Sequence, residues 1–415
     1  MNNAQPASNT TSLGAPLTLP CGAVLKNRLV KSPMSDSLGN GQGDPSPEQA
    51  RLYEKWSQGG VALAIIGEVQ IDPDFAEKPG NLVLGPHSNL PALTDLTSRA
   101  TTDGAHLWAQ LGHAGALSYA PISQPKGPSA LDLPDLQCAG MSAQDIAALP
   151  AAYARGAAIA KQVGFSGVLL HAGHGFLLSQ FLSPLFNHRR DGYGGSIENR
   201  MRIVVEIFTA IRQQVGPAFP IGIRINATDL LEGGLTEEDA LCAIRILNHT
   251  SVDLIDISGG TYFPGAKAAS DGSAEGGPYF LDFARRARQI TQIPLMTTGG
   301  FKHQSQAQEA VGNGDVDMVG LARVMVVDPQ LPKTWLQAAN STVATNPSLP
   351  RFTATPEGGV TAWYTMQMVA LGEDTSKQSS LDLYEALATY SNRDEQKCAL
   401  WRAKFAPIDE FSGAI

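Results

Sequence analysis

Cysteine is scarce in this chain. Four are spread over 415 residues, Cys21, Cys138, Cys242 and Cys398, and no two form a CxxC pair. A disulfide framework or a thiolate zinc site therefore lacks its ligands, and reduced thiols in a cytoplasmic setting are the expected state. Long apolar runs are lacking as well. No segment sustains the roughly 18 apolar residues that a membrane-spanning helix needs, and the first dozen residues carry neither the basic start nor the apolar centre of a secretion signal. Charge is thin, at 17% of residues, and acidic on balance, with a formal net charge of -9. That excludes the basic stripe of a nucleic-acid or anionic-membrane surface, and small uncharged or amphiphilic molecules are the expected partners. No HExxH or carboxylate cluster completes a metal set, so no metal is expected. Neither glycine cluster that could pass for a dinucleotide fingerprint follows a strand: 39–43 lies in a loop and 191–195 in a turn. A separate Rossmann site is not expected.

What the chain does have is repetition. Short β-branched and aliphatic runs occur near 28–33, 61–66, 106–111, 167–170, 221–225, 253–257, 294–298 and 317–321. Between them, segments such as 142–163, 197–215, 236–248 and 280–291 carry helical spacing, and continuous apolar strands of this kind suit burial on both faces. Eight strand-helix units predict an α/β fold, a (β/α)8 TIM barrel. The barrel is expected over 17–335, after a flexible N-terminal tail at 1–16. A C-terminal helical extension at 336–415, with helices at 361–371, 381–390 and 394–405, is expected to pack on the barrel or on a neighbouring subunit of a homo-oligomer.

The chemistry concentrates in 171–200. His171 and His174 follow the strand at 167–170, and a helix begins after Ser196, so both imidazoles are expected on a strand-to-helix loop, where barrel enzymes keep their reactive groups. A second signal lies at the ends of strands seven and eight. Gly299 and Gly300 offer backbone amides and Arg323, after Ala322, a forked cation, at the place where barrels commonly seat a phosphate.

The run from His171 through His174, Phe176 and Gln180 to the Tyr193-Gly194-Gly195-Ser196 and Glu198-Asn199-Arg200 segments resembles the signature of the flavin-dependent ene-reductases called the Old Yellow Enzyme family. The resemblance covers roughly 17–332 and includes the first-strand motif ending Ser32-Pro33-Met34-Ser35. It implies noncovalent FMN, with Pro33, Met34 and Ser35 against the flavin ring and Glu68 at the approaching second strand. It further implies Gln110 on the pyrimidine, Arg224 beside N1 and O2, and Gly299, Gly300, Ala322 and Arg323 at the phosphate. His171 and His174 would donate hydrogen bonds to a substrate carbonyl oxygen, so that hydride from flavin adds to the β carbon of an α,β-unsaturated carbonyl compound. NADH or NADPH would be the reductant. Glu198 and Arg200 are expected to hold the loop and helix start, and His113, Tyr53 and Tyr193 to be structural.

Two departures qualify the resemblance. Where most members of that family carry a proton-donating tyrosine, this chain has Phe176, which cannot donate a proton. Tyr262, Asp36 or a water are the candidate replacements. Slow protonation would let hydride return, making a redox-neutral isomerase or a dehydrogenase on an enone or dienone the alternative reading. A non-catalytic flavin-binding protein is a third, against which the His pair, Gln110 and Arg224 speak. Cys398 is also the only cysteine beyond Cys242, so the iron–sulfur cluster of the larger relatives has no ligands.

Overall fold

A computed structural model describes residues 11–264, 266, 277–338, 347–353, 355–373 and 380–405. Eight parallel strands form the centre: β1 (Leu29–Lys31), β2 (Leu63–Gln70), β3 (His106–Gly112), β4 (Gly167–Ala172), β5 (Ile221–Asn226), β6 (Leu254–Ser258), β7 (Leu295–Thr298) and β8 (Met318–Leu321). Each pairs with the next, and β8 returns to β1 with Gly320 opposite Val30, which closes the (β/α)8 barrel. Val30, Leu63, Ile65, Trp108, Leu169, Leu254, Met296 and Met318 fill its interior. Leu17, Leu19 and Leu25 join that cluster from a short antiparallel ladder, Leu17–Thr18 on Val24–Leu25.

The outer ring begins with α1 (Pro47–Gln58), α2 (Leu90–Ala100) and α3 (Ala143–Gln162). α4 (Leu177–Leu182) and α5 (Ile197–Val215) follow β4, and α6 (Glu237–Leu247), α7 (Leu281–Arg288) and α8 (Gln304–Gly312) complete the alternation. Side-chain caps set the starts: Ser46, Ser142, Ser196 and Thr236 each accept a backbone N–H three residues on, satisfying a group that the helix itself leaves orphaned.

Several sequence expectations shift. Residues 11–16 are not free tail: Leu13 is buried and its N–H donates to Gln308 Oε1 at 3.1 Å; residues 1–10 of the expected tail lie outside the described residues. β4 runs on through His171 and Ala172, so His171 stands on the strand and only His174 on the loop. The boundary at 335/336 cuts through α10 (Leu331–Ala338), which follows the short α9 (Val324–Val327). Beyond α11 (Gly359–Gly372), the two expected helices at 381–390 and 394–405 are one, α12 (Leu383–Phe405). The intervening Ser391-Asn392-Arg393 contains no glycine or proline, and so nothing that must break a helix.

The extension packs on its own barrel. Arg51 Nε donates to Gly372 O at 2.6 Å, Lys397 Nζ to Ser37 O at 2.5 Å, and Trp401 buries against Ala76 and Val83. α12 thus lies over the loops that follow β1 and β2. Among the described residues no helix is long and apolar enough to cross a membrane.

Candidate active site

The turn after β4 is shaped by constraint. His174 has φ 60 and Gly175 φ 83, the left-handed region that costs a non-glycine residue free energy. Asn226 Oδ1 accepts from His174 N at 3.0 Å, and Tyr262 N donates to His174 O at 3.0 Å. A Cβ at position 175 would stand 2.1 Å from Thr261 Oγ1, so only glycine lets the turn lie this close to the β6 loop.

The two imidazoles are linked. His171 Nε2 is 2.9 Å from His174 Nδ1, and His174 Nε2 is 2.8 Å from Ser258 Oγ at the end of β6. On the other side, Glu68 Oε1 lies 2.7 Å from His171 Nδ1, an off-line approach that leaves Nδ1 without an aligned partner. The sequence places Glu68 where the second strand approaches the flavin; its backbone at φ 58 and the register shift between Ile66 and Val69 bring its side chain beside His171. Burial raises the Glu68 carboxyl to about 8 against the pull of Arg224. Burial, reinforced by Arg224, drops both histidines well below their usual value, so both imidazoles are neutral at pH 7.

Arg224 on β5 is buried in a polar knot. Its Nε donates to Asp256 Oδ2 at 2.5 Å, Nη2 to Thr298 Oγ1 at 3.1 Å and Nη1 to Pro33 O at 3.5 Å. Thr298 Oγ1 in turn donates to Asp256 Oδ1 at 3.1 Å. The arginine therefore sits under the Pro33-Met34-Ser35 segment. Gly67 fits against that segment because a Cβ there would meet Met34 O at 2.3 Å. Ser35 Oγ donates to Glu77 Oε2 at 2.8 Å, and desolvation, then the neighbouring Glu68, push Glu77 up to about 7.

One cavity of about 870 Å³ joins the two ends of the site, lined among others by His174, Ser258, Tyr262, Thr298, Gly299 and Arg323. Its size suits a cofactor-sized ligand. Gly299 and Gly300 both have positive φ, 104 and 84, with the Tyr279 ring packed over them. Among the described residues Arg323 meets no carboxylate; its guanidinium lies 6.0 Å from the Tyr364 ring of α11. Gln110 on β3 is buried, and among the described residues its Nε2 has no partner. A glycine cradle beside a free guanidinium, an orphaned amide and a cation beneath a prolyl carbonyl are what FMN requires, and the residues present fit it.

The remaining candidates separate. Phe176 is 2% exposed, its ring 4.7 Å from His171 and 5.9 Å from Tyr262. Tyr262 is exposed and lines the cavity. Asp36 is withdrawn as a proton source: it is buried, accepting from Tyr53 OH, Gln49 Nε2 and Leu38 N. Tyr53 and His113 are buried, and His113 Nδ1 accepts from Gly115 N at 3.0 Å. Arg200 holds the loop, donating to Gly195 O and Leu182 O and pairing with Asp239. Sequence reasoning missed Ser258, Glu77 and Asp256. Asp256 alone gave a signal, as a charge inside the apolar run Leu254-Ile255-Asp256-Ile257, which needs a buried partner.

The sequence profile of the NADH:flavin oxidoreductase / NADH oxidase family matches residues 12–341. The chain is 34% identical over 364 residues to the NADH-dependent flavin oxidoreductase iliE of Neonectria sp., covering 79% of this chain and 47% of that one, so it spans about half that relative's length. It is 35% identical to the NADH-dependent flavin oxidoreductase iccE of Talaromyces variabilis, over 78% of this chain and 86% of that one. Among solved structures, 2-naphthoyl-CoA reductase superposes with TM-score 0.73 at 27% identity, covering 79% of this chain and 52% of that one. Morphinone reductase shares the fold, with TM-score 0.69 at 23% identity over 83% of this chain and 93% of that one.

Proposed function

Since the chain belongs to the NADH:flavin oxidoreductase / NADH oxidase family, we propose that it uses FMN and a nicotinamide to reduce the activated C=C bond of a small α,β-unsaturated carbonyl compound. The observation that carries this reading is a cavity of about 870 Å³ lined together by His174, Ser258, Gly299 and Arg323. Bound FMN would supply hydride from its reduced ring. Gly299, Gly300 and Arg323 would hold its phosphate, Gln110 and Arg224 its ring edge, and the Pro33–Ser35 backbone its face. His174, neutral and desolvated with His171 behind it, would polarise a substrate oxygen more strongly than the same group could in water.

The test is anaerobic. Purified protein should be yellow, bleach with NADH or NADPH and regain colour with cyclohexenone. Colourless protein that cannot be reconstituted with FMN would defeat the reading. Arg323→Ala should weaken FMN binding by about 1.5–3 kcal/mol, the usual worth of a hydrogen bond to a charged group, which is roughly ten- to a hundredfold in Kd. Flavin fluorescence released on dilution measures it.

Phe176 favours a second reading. With that ring buried beside His171, hydride could return from substrate to flavin, giving isomerisation or dehydrogenation. Turnover of a dienone without NAD(P)H consumption would select it.

A further inference from the structure

Four groups stand in file from the barrel interior to the cavity wall: Glu68, His171, His174 and Ser258. Successive polar atoms are separated by 2.7, 2.9 and 2.8 Å. The inner end is closed, with Glu68 at 5% and His171 at 2% exposure. The outer end is open, since His174 and Ser258 both line the cavity and His171 does not.

Such a file has two polarities, because a neutral imidazole carries one proton and its two nitrogens then differ as donor and acceptor. With Glu68 as a carboxylic acid, its O–H has only to turn into line with His171 Nδ1, 2.7 Å from Oε1 and without an aligned partner, and each Nε2–H then points outward. With Glu68 ionised, each imidazole carries its proton on Nδ1, and Ser258 donates inward. The two arrangements differ by one proton.

Glu68 is held at this inner position under strain. Its φ of 58 is left-handed, its Oε2 is buried with no partner among the described residues, and Gly112 leaves room for that oxygen, since a Cβ there would lie 2.9 Å away. Strain and an unpartnered carboxyl oxygen are costs that persist where a site needs them.

The geometry points to Glu68 as the store of the proton that Phe176 cannot supply, delivered through His171 and His174 to the substrate oxygen. This rests on the proposed enone reduction. Bound FMN, reduced by the nicotinamide, would supply hydride to the β carbon, and the displaced π pair would move to the carbonyl oxygen. That oxygen takes the proton from His174 Nε2, His174 Nδ1 takes the one from His171 Nε2, and His171 Nδ1 takes the one from Glu68. The products are an enol and the Glu68 carboxylate. The enol leaves and acquires its α proton from water, and a solvent proton entering from the cavity at His174 Nε2 is passed inward through the same file, which restores both Nε2–H rings and the Glu68 acid. Glu68 is a positioning and proton-holding residue; His174 is the group that touches substrate.

The groups facing Glu68 are His171, Arg224 from β5, Tyr153 from α3, Gln70 from its own strand, Glu77 and Tyr262. With burial dominating Arg224, Glu68 keeps its proton to about pH 8, so the outward polarity is the one present at pH 7.

Two measurements test this separately. In FMN-loaded protein labelled with 15N-histidine, both rings should carry their proton on Nε2 at pH 6.5 and on Nδ1 at pH 9.5, and Glu68→Gln should abolish the switch. This arm needs no substrate, so it stands even if enone reduction fails. Fixed tautomers in the wild type across that range overturn the inference. In the second arm, wild-type turnover of 2-methylcyclohexenone should give product that is racemic at the α carbon at early times. A single α-enantiomer means that a side chain protonates the carbon directly, and overturns it. Glu68→Gln should slow flavin reoxidation by the enone by about 10²–10⁴-fold, the range of general-acid catalysis, and remove the fall in rate above pH 8, with Glu68→Asp restoring part of both. Should Glu68→Gln lose its flavin, the wild-type spectra and the product configuration still decide.

Discussion

Arg224→Ala should destabilise the folded protein by about 3–5 kcal/mol, the cost of leaving one partner of a buried ion pair behind. Asp256 is 0% exposed and its carboxylate takes both its charge-balancing contact and a hydrogen bond from Arg224. Burial already raises the Asp256 pKa, and Arg224 is the first of the influences that pull it back. Without the guanidinium the folded state would hold Asp256 protonated at a pH where the unfolded chain releases that proton. Stability of the variant should therefore fall as pH rises above about 4, the ordinary aspartate value. Denaturant midpoints at pH 4 and pH 8 check the sign. The loss relative to wild type should be smaller at pH 4, and Arg224→Ala/Asp256→Asn should recover much of it. Flavin affinity should not recover, because the double variant still lacks the cation under Pro33. Equal midpoints for wild type and Arg224→Ala at pH 8 would mean that the pair is solvated rather than buried.

The same knot shows what the sequence disclosed and what it hid. The barrel was legible because its strands are buried on both faces and so stand out as unbroken apolar runs between helical patterns. The His pair, Gln110, Arg224, Gly299 and Arg323 were legible as residue types at strand ends. The direction of Glu68 was not. Every residue of Leu63–Gln70 is buried, so no alternation marks the register shift after Ile66 that swings Glu68 toward His171. Ser258 and Glu77 gave no signal, since each acquires its role only when β6 or the loop after β2 is brought to the barrel mouth. The placement of α12 over the β1 and β2 loops depends on contacts such as Lys397 with Ser37, across a chain separation that no local pattern reports.

Phe176→Tyr should have its largest effect in a protein that already lacks the Glu68 proton. In the otherwise unchanged chain, the phenol should raise net C=C reduction only modestly, because the file through His171 already protonates the product oxygen. Its sharper effect there is on configuration: a hydroxyl between His171 and Tyr262 could protonate the α carbon from one face, so 2-methylcyclohexenone should yield an excess of one enantiomer. In a Glu68→Gln background the same substitution should recover most of the lost rate, approaching the 10²–10⁴-fold worth of a general acid. Such non-additivity is expected when two groups supply the same proton, and a double-mutant cycle measures it. The ring is almost fully enclosed, so the new hydroxyl has to find a partner or carry a desolvation cost; flavin content and denaturant midpoint of the variant report whether it does. If the two substitutions act independently, with Phe176→Tyr giving the same factor whether position 68 is Glu or Gln, then Glu68 does not feed the proton. Tyr262→Phe then becomes the informative change, because Tyr262 is a phenol on the cavity wall whose ring lies 5.9 Å from both His174 and Phe176.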